Sequence, residues 1–147
     1  MESAILIQKA DEKQLYAIAV MTAHYFPYTQ FTYSAIKTRL ENPAIAYFAA
    51  LEDGHCVGFI DYELKEDRAQ VLGLAVLEEH RRKGIAGALL EKAIAEVKAA
   101  GKARIDLLVA ADNDAAKALY LKFGFSHAGK LERQIWGKEV DVYSLKL

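Results

Sequence analysis

The sequence predicts an α+β (mixed α/β) domain: one mixed, mostly antiparallel sheet with helices on its faces. Three observations point there. Short apolar runs and segments of helical apolar spacing follow one another in the order βααβββαβαββ. Glu52-Asp53-Gly54-His55 separates two apolar runs. It is a hairpin signal, because Asp-Gly accepts positive backbone φ, so those runs pair antiparallel. A helical segment at 84–100 stands between apolar runs at 70–77 and 104–109, as a crossover between parallel strands requires.

Each element has a local reason. Residues 4–8 form a short apolar run, and Asp11 follows as an N-cap for a helix over 12–26 carrying Leu15, Ile18, Ala19 and Thr22 at helical spacing. Pro27 ends that helix, since proline disfavours helix in the residue before it. A second helix over 33–41 stops before Pro43. Strands at 44–51 and 56–64 flank the Asp-Gly turn, and a third runs from 70 to 77. In the helix at 84–100, Ile85, Leu89, Ala93 and Val97 form the buried stripe, widened by Leu90 and Ile94. Gly101 suits its C-terminal end. A strand at 104–109 leads to a helix capped by Asp112 or Asn113 and ended by Gly124. Strands at 126–136 and 138–147, turning near Gly137, close the chain.

Composition excludes several classes. A chain of 147 residues with 53% hydrophobic residues builds one domain, spanning 1–147, with a real core. A formal net charge of −1 gives no bulk attraction to nucleic acid or membrane. No apolar run approaches the roughly 18 residues of a membrane span. Glu2 stands where a signal peptide would carry basic residues. The single cysteine, Cys56, cannot form an internal disulfide, which fits a reducing cytoplasm and reads as a structural thiol. His24, His55, His80 and His127 lack metal-ligand spacing, so no metal site is expected.

Residues 71–90 carry the chemistry. An apolar run ends at Leu77, a charged segment covers Glu78 to Lys83, and Gly84, Ala86 and Gly87 open the next helix. A helix start presents unpaired N–H groups and the positive end of the helix dipole. With bulk pared away and cations beside it, it becomes a pocket for phosphate. The lysine-serine/threonine pair of a P-loop is missing after Gly87. A dinucleotide fingerprint fits poorly, since charged residues separate strand from glycines and Asp106 sits near the start of its strand. The rival is a surface loop whose small residues only let a helix pack closely.

Arg81-Arg82-Lys83-Gly84-Ile85-Ala86 resembles the Gln/Arg-x-x-Gly-x-Gly/Ala signature of the GNAT superfamily of acyl-CoA-dependent N-acyltransferases. Asn113-Asp114-Ala115-Ala116-Lys117-Ala118-Leu119-Tyr120, continuing to Gly124-Phe125, is similar to that family's later Asn-x-x-Ala-x-x-Leu-Tyr-x-x-x-Gly-Phe segment. Both motifs occur in order with a strand between, and the element order is also the family's. The resemblance implies a GNAT-like sheet of about seven strands flanked by about four helices. It is weakest over residues 25–43, where acceptor specificity resides in the family.

The resemblance also implies a site. Acetyl-CoA would be the acetyl donor, lying where two central strands splay, with Gly73 marking where the first opens. The backbone of Leu74, Ala75 and Val76 would pair with pantetheine like one more strand. Arg81, Arg82, Lys83, Gly84, Ile85, Ala86 and Gly87 would hold the pyrophosphate, chiefly by backbone N–H groups. Asn113 would contact the cofactor, cap its helix, or do both. Tyr120 would be the catalytic general acid for the departing thiolate: a phenol of pKa about 10 can donate to a thiolate of about 8.5. The Val76 N–H would face the developing oxyanion.

The general base is the open position. Ribosomal-protein alanine acetyltransferases of the family place a glutamate where this chain has Leu108, which argues against a ribosomal-protein N-terminus as acceptor. Asp61, Glu63, Glu79, His80 and Tyr143 remain, or a water chain. The aromatic stretch Tyr25–Tyr33 reads either as a lid over the acceptor or as core. Trp136 reads as pocket edge or dimer contact. The expected activity is direct acetyl transfer to a primary amine of a small molecule, peptide or protein, with no nucleic-acid or membrane partner and homodimerisation open. The alternative is a catalytically silent CoA-binding regulatory module. A third reading, a nicotinamide oxidoreductase, would bind NAD instead.

Overall fold

The computed structural model describes residues 4–135 and 137–147, Tyr28 by its backbone alone. Strands β1 (Ile5–Lys9), β2 (Ile45–Glu52), β3 (His55–Leu64), β4 (Arg68–Val76), β5 (Arg104–Ala110), β6 (Ser126–Lys130) and β7 (Val140–Lys146) form one sheet in the order β1-β2-β3-β4-β5-β7-β6. Every neighbouring pair is antiparallel except β4–β5. That is the predicted mixed sheet. The helices are α1 (Glu12–Tyr25), α2 (Tyr33–Glu41), α3 (Ile85–Ala99) and α4 (Asp114–Lys122), and α3 is the parallel crossover.

The turn and cap signals are realised. Asp53 and Gly54 both take positive φ, 51° and 83°, so the β2–β3 hairpin turns where Asp-Gly allows. Asp11 caps α1 in a capping box with Gln14. Pro27 opens a short 3-10 turn, Pro27–Thr29, and α1 stops at Tyr25.

Alternating side chains divide the core between two faces. On one, Ile60, Val71, Ile105 and Leu107 pack against Leu89, Leu90, Ala93 and Val97 of α3. On the other, Tyr47, Ala49 and Phe59 pack against Leu15, Ile18 and Met21 of α1 and Ile36 of α2. Ile94 is half-buried, at the margin of the predicted stripe. Lys117 of α4 reaches Asp141 of β7 at 2.8 Å, one turn before Tyr120, and ties α4 to the sheet.

The last hairpin departs from expectation. β6 ends at Lys130 rather than 136, and Val140 rather than 138 opens β7. Beyond Lys130 the chain reads Leu131-Glu132-Arg133-Gln134, with no apolar alternation to hold a strand on the sheet. A lone bridge joins Ile135 to Lys138 around Gly137, whose φ is 76°. Trp136 lies outside the described residues.

Candidate active site

The site begins as a split in the sheet. β4 and β5 pair only from Arg68–Arg104 to Val71–Leu107. Beyond that β4 follows β3 to Val76, while β5 follows β7 to Ala110. The strands part at a bulge: the β3 register passes from Gly73 opposite Asp61 to Val71 opposite Tyr62, leaving Leu72 without a partner. A bulge bends and twists its strand, and here it turns β4 away from β5. Gly73 stands beside the bulge, as expected. A Cβ there would lie 2.8 Å from the Asp61 carboxylate, so glycine is required by that close approach.

The split exposes backbone. The Leu77 N–H bonds to Val57 at 2.8 Å, which makes Val57–Leu77 a hydrogen-bonded pair of the β3–β4 ladder. By antiparallel alternation, Ala75 also turns its N–H and C=O to β3, and Leu74 and Val76 turn theirs to the opening. The reading that all three residues pair with a ligand therefore narrows to Leu74 and Val76. Ala75 offers only its small side chain. The Val76 carbonyl already accepts from Arg81 Nε at 3.0 Å, which leaves its N–H toward the opening.

α3 starts beside that edge. Its N-cap is Gly84, with φ 79° and no side-chain cap, whereas Asp11, Thr32 and Asn113 cap the other α-helices. The N–H groups of Ile85, Ala86 and Gly87 thus begin the helix without a side-chain acceptor at the cap. The two glycines have different reasons. Gly84 has open space around it and is required by its positive φ. A Cβ at Gly87 would meet the Phe123 ring at 3.0 Å, so Gly87 serves the packing of α3 on α4.

A groove of about 480 Å³ runs along this edge, and Leu74, Ala75, Val76, Arg81, Arg82 and Gly84 line its floor and lip. Ile85, Ala86, Gly87, Asn113 and Tyr120 complete the set of expected residues on its wall. Lys83 is the exception. Its Nζ lies 2.8 Å from the buried Glu52 carboxylate, with His80 at 3.3 Å from the same group, and so pins the loop to β2. The Lys83 hydrogen bond holds Glu52 below the usual carboxylate range. Arg81 is also engaged, bonded to Val76 and stacked 5.1 Å above the Tyr25 ring, while Arg82 is exposed at the lip with φ 67°. Asn113 caps α4, its Oδ1 accepting from the Ala116 N–H at 3.2 Å, and lines the groove as well.

A second cavity, about 360 Å³, fills the split itself, and Tyr120 lines both. The Tyr120 ring is buried against Phe125 and Tyr143, with centroids at 6.1 and 6.2 Å. Tyr25 and Phe26 line both cavities too. Tyr25 and Phe26 thus serve as wall of the site while packing, with Phe31, against the core, and Tyr33 is exposed.

The base candidates separate clearly. Glu63 pairs with Lys65 at 3.6 Å on β3, opposite Gln70, where β4 and β5 are still joined. Glu79 is exposed in the 3-10 turn Glu78–His80, and His80 is turned to Glu52. Tyr143 packs against Tyr120 and His127. Asp61 is buried at the bulge, 2.9 Å from Arg39, whose Nε donates to the Tyr47 hydroxyl at 2.9 Å. Burial raises the Asp61 carboxyl to about 6 against the opposing pull of Arg39, and burial raises Tyr47 to about 12. This buried triad on three elements carried no local sequence signal. Asp61 also borders a cavity of about 20 Å³ with Phe31, Leu72 and Gly73.

Residues 11–125 match the model of the acetyltransferase (GNAT) family. The chain belongs to the GNAT family. Within that family it is 33% identical over 108 residues to the ribosomal protein bS18-alanine N-acetyltransferase of Escherichia coli, covering 72% of this chain and 69% of the relative. The fold is that of solved GNAT enzymes. Arabidopsis thaliana NAA60 in complex with acetyl-CoA superposes with a TM-score of 0.86 at 18% identity over 98% of this chain and 99% of that one. The PaiA N-acetyltransferase of Thermoplasma acidophilum in complex with coenzyme A gives 0.84 at 20% identity, over 98% and 99%. In this GNAT domain both motif segments face the same groove, and the strand between them, β5, forms the far edge of the split.

Among the described residues no helix is long and apolar enough to cross a membrane, and no cluster of His, Cys, Asp and Glu could hold a metal ion. Cys56 is half-buried, and burial pushes its thiol up, away from the nucleophilic form.

Proposed function

We propose that this protein transfers an acetyl group from acetyl-CoA directly to a primary amine, with Tyr120 as general acid. The observation that carries the reading is the split itself: two adjoining cavities, which share Leu74, Asn113 and Tyr120, form a channel from the uncapped start of α3 along the free edge of β4. The residues fit the donor. The N–H groups at Ile85–Gly87 suit a pyrophosphate, and the Leu74 and Val76 edge suits pantetheine amides. Acetyl-CoA supplies an activated thioester when bound.

The chain's residues do the remainder. One of these edge amides, the Val76 N–H, would instead face the thioester carbonyl and donate to the negative charge developing on its oxygen, a preorganised contact worth several kcal/mol. Tyr120 donates to the departing sulfur, general acid catalysis typically worth about 10²–10⁴-fold. Asp61 accepts the ammonium proton through one water. The 20 Å³ cavity it borders suits a single water, and its raised pKa leaves it ionised at neutral pH. The transfer is direct, without a covalent acyl-enzyme, since among the described residues no cysteine or serine lines these cavities. A cytoplasmic setting fits the single thiol.

Thiol release from acetyl-CoA, followed over a panel of peptides, amino acids, polyamines, arylalkylamines and aminoglycosides, tests the reading. Saturable release with at least one amine is expected. Saturable acetyl-CoA binding with no release for any of them would favour the silent binding module.

A further inference from the structure

On the open side of the split lies a chamber that neither motif touches. It measures about 220 Å³, and Phe31, Leu72, Leu108, Ile135 and Val140 make its walls. It joins the site directly, because Leu72, Leu108, Val109 and Ala110 also line the cavity in the split. Its position follows from the fold: β5 turns Leu108 and Ala110 to the face that α1 and α2 leave uncovered, and the bulged Leu72 points into the same space. The titratable group on its wall is Lys138, a cation at the rim, whose Nζ lies 3.9 Å from Asp112.

We infer that this chamber holds an apolar group, of about phenyl or leucyl size, carried by the carbon next to the acceptor amine. The inference rests on the proposed transfer reaction. Its volume decides the size: a cavity of about 150 Å³ lined by apolar side chains accommodates benzene. Its chemistry decides the class. A polyamine or aminoglycoside brings further cations, which need carboxylates when they leave water. Here no carboxylate lines the chamber among the described residues. An apolar group loses nothing on entering and shields the reacting amine from bulk water. Two sources share this chemistry, a free arylalkylamine or branched alkylamine and a peptide beginning with a large apolar residue.

The test compares kcat/KM for thiol release with 2-phenylethylamine, a leucine-first peptide, spermidine and an aminoglycoside. The apolar acceptors should exceed the polycations by at least about tenfold, the discrimination apolar pockets commonly give. Leu108→Glu should abolish that preference by lowering kcat/KM for the apolar acceptors. Leu108→Met, which keeps volume and polarity, should retain it and controls for folding. Whichever of the two apolar arms is faster identifies the source. Preference for spermidine or the aminoglycoside would overturn the chamber's assignment and leave acetyl transfer standing. If acetyl-CoA binds but no amine reacts, transfer itself falls. Calorimetric binding of N-acetyl-2-phenylethylamine, lost in Leu108→Glu, would then still uphold the chamber, and its absence would overturn it.

Discussion

Asp61, the proposed proton acceptor, is paired with Arg39. Their ion pair is almost wholly shielded, with side-chain exposures of 5% and 15%. Removing one partner of a buried pair strands the other's charge, at about 3 kcal/mol or more. Arg39→Met should therefore lower unfolding free energy by roughly that amount at pH 8. The sign with pH follows from the carboxyl. Burial already raises it to about 6 while Arg39 opposes the rise, so the variant's carboxyl titrates higher still. A raised folded-state pKa gives stability at low pH that is lost as pH rises through it. The deficit of Arg39→Met should shrink toward pH 5, where the carboxyl is protonated, and grow toward pH 8. Urea unfolding at both values checks this, and equal deficits would contradict it. Little of this was legible in the sequence. Asp61 was visible only as one acid among several, because Arg39, itself bonded to Tyr47, reaches it from another element. The Lys83 ion pair was hidden for the same reason: its partner Glu52 lies on β2.

At the scale of elements, the start of α3 was legible in kind, since a short spacing of glycine, alanine and glycine after a charged loop has few uses. What the pattern could not assign was each residue's reason. Gly84→Ala forces a Cβ onto a left-handed residue, at about 1–2 kcal/mol, in a place with open space around it. It should weaken acetyl-CoA binding through a shifted loop. Gly87→Ala instead presses on Phe123, so its destabilisation should shrink in a Phe123→Leu background. Thermal unfolding of the single and double variants, with acetyl-CoA titrations alongside, separates the two. Additive effects at Gly87 and Phe123 would contradict the packing role. The β6 boundary failed for a physical reason as well: an edge strand with one partner and no buried face has no apolar alternation to mark its end.

For the whole molecule, the sheet works because β4 and β5 share one end and part at the other. Strand order in this region followed from the crossover rule, but the split depends on a single unpaired residue, Leu72, that no periodicity reports. The Val76 amide faces the opening and the Ala75 amide faces β3, so they should respond differently to a donor in the channel. Acetyl-CoA should slow amide hydrogen exchange at Leu74, Val76 and the first turn of α3, with a smaller change at Ala75. Equal protection across Leu74–Val76 would argue against the backbone alternation proposed for the binding edge. Tyr120 lines both cavities, and we propose that it donates a proton to the leaving sulfur. Steady-state turnover of Tyr120→Phe, measured beside its acetyl-CoA dissociation constant, tests that claim most directly. A fall in kcat of about 10²-fold or more with affinity essentially unchanged is expected; an unchanged kcat would contradict proton donation by Tyr120.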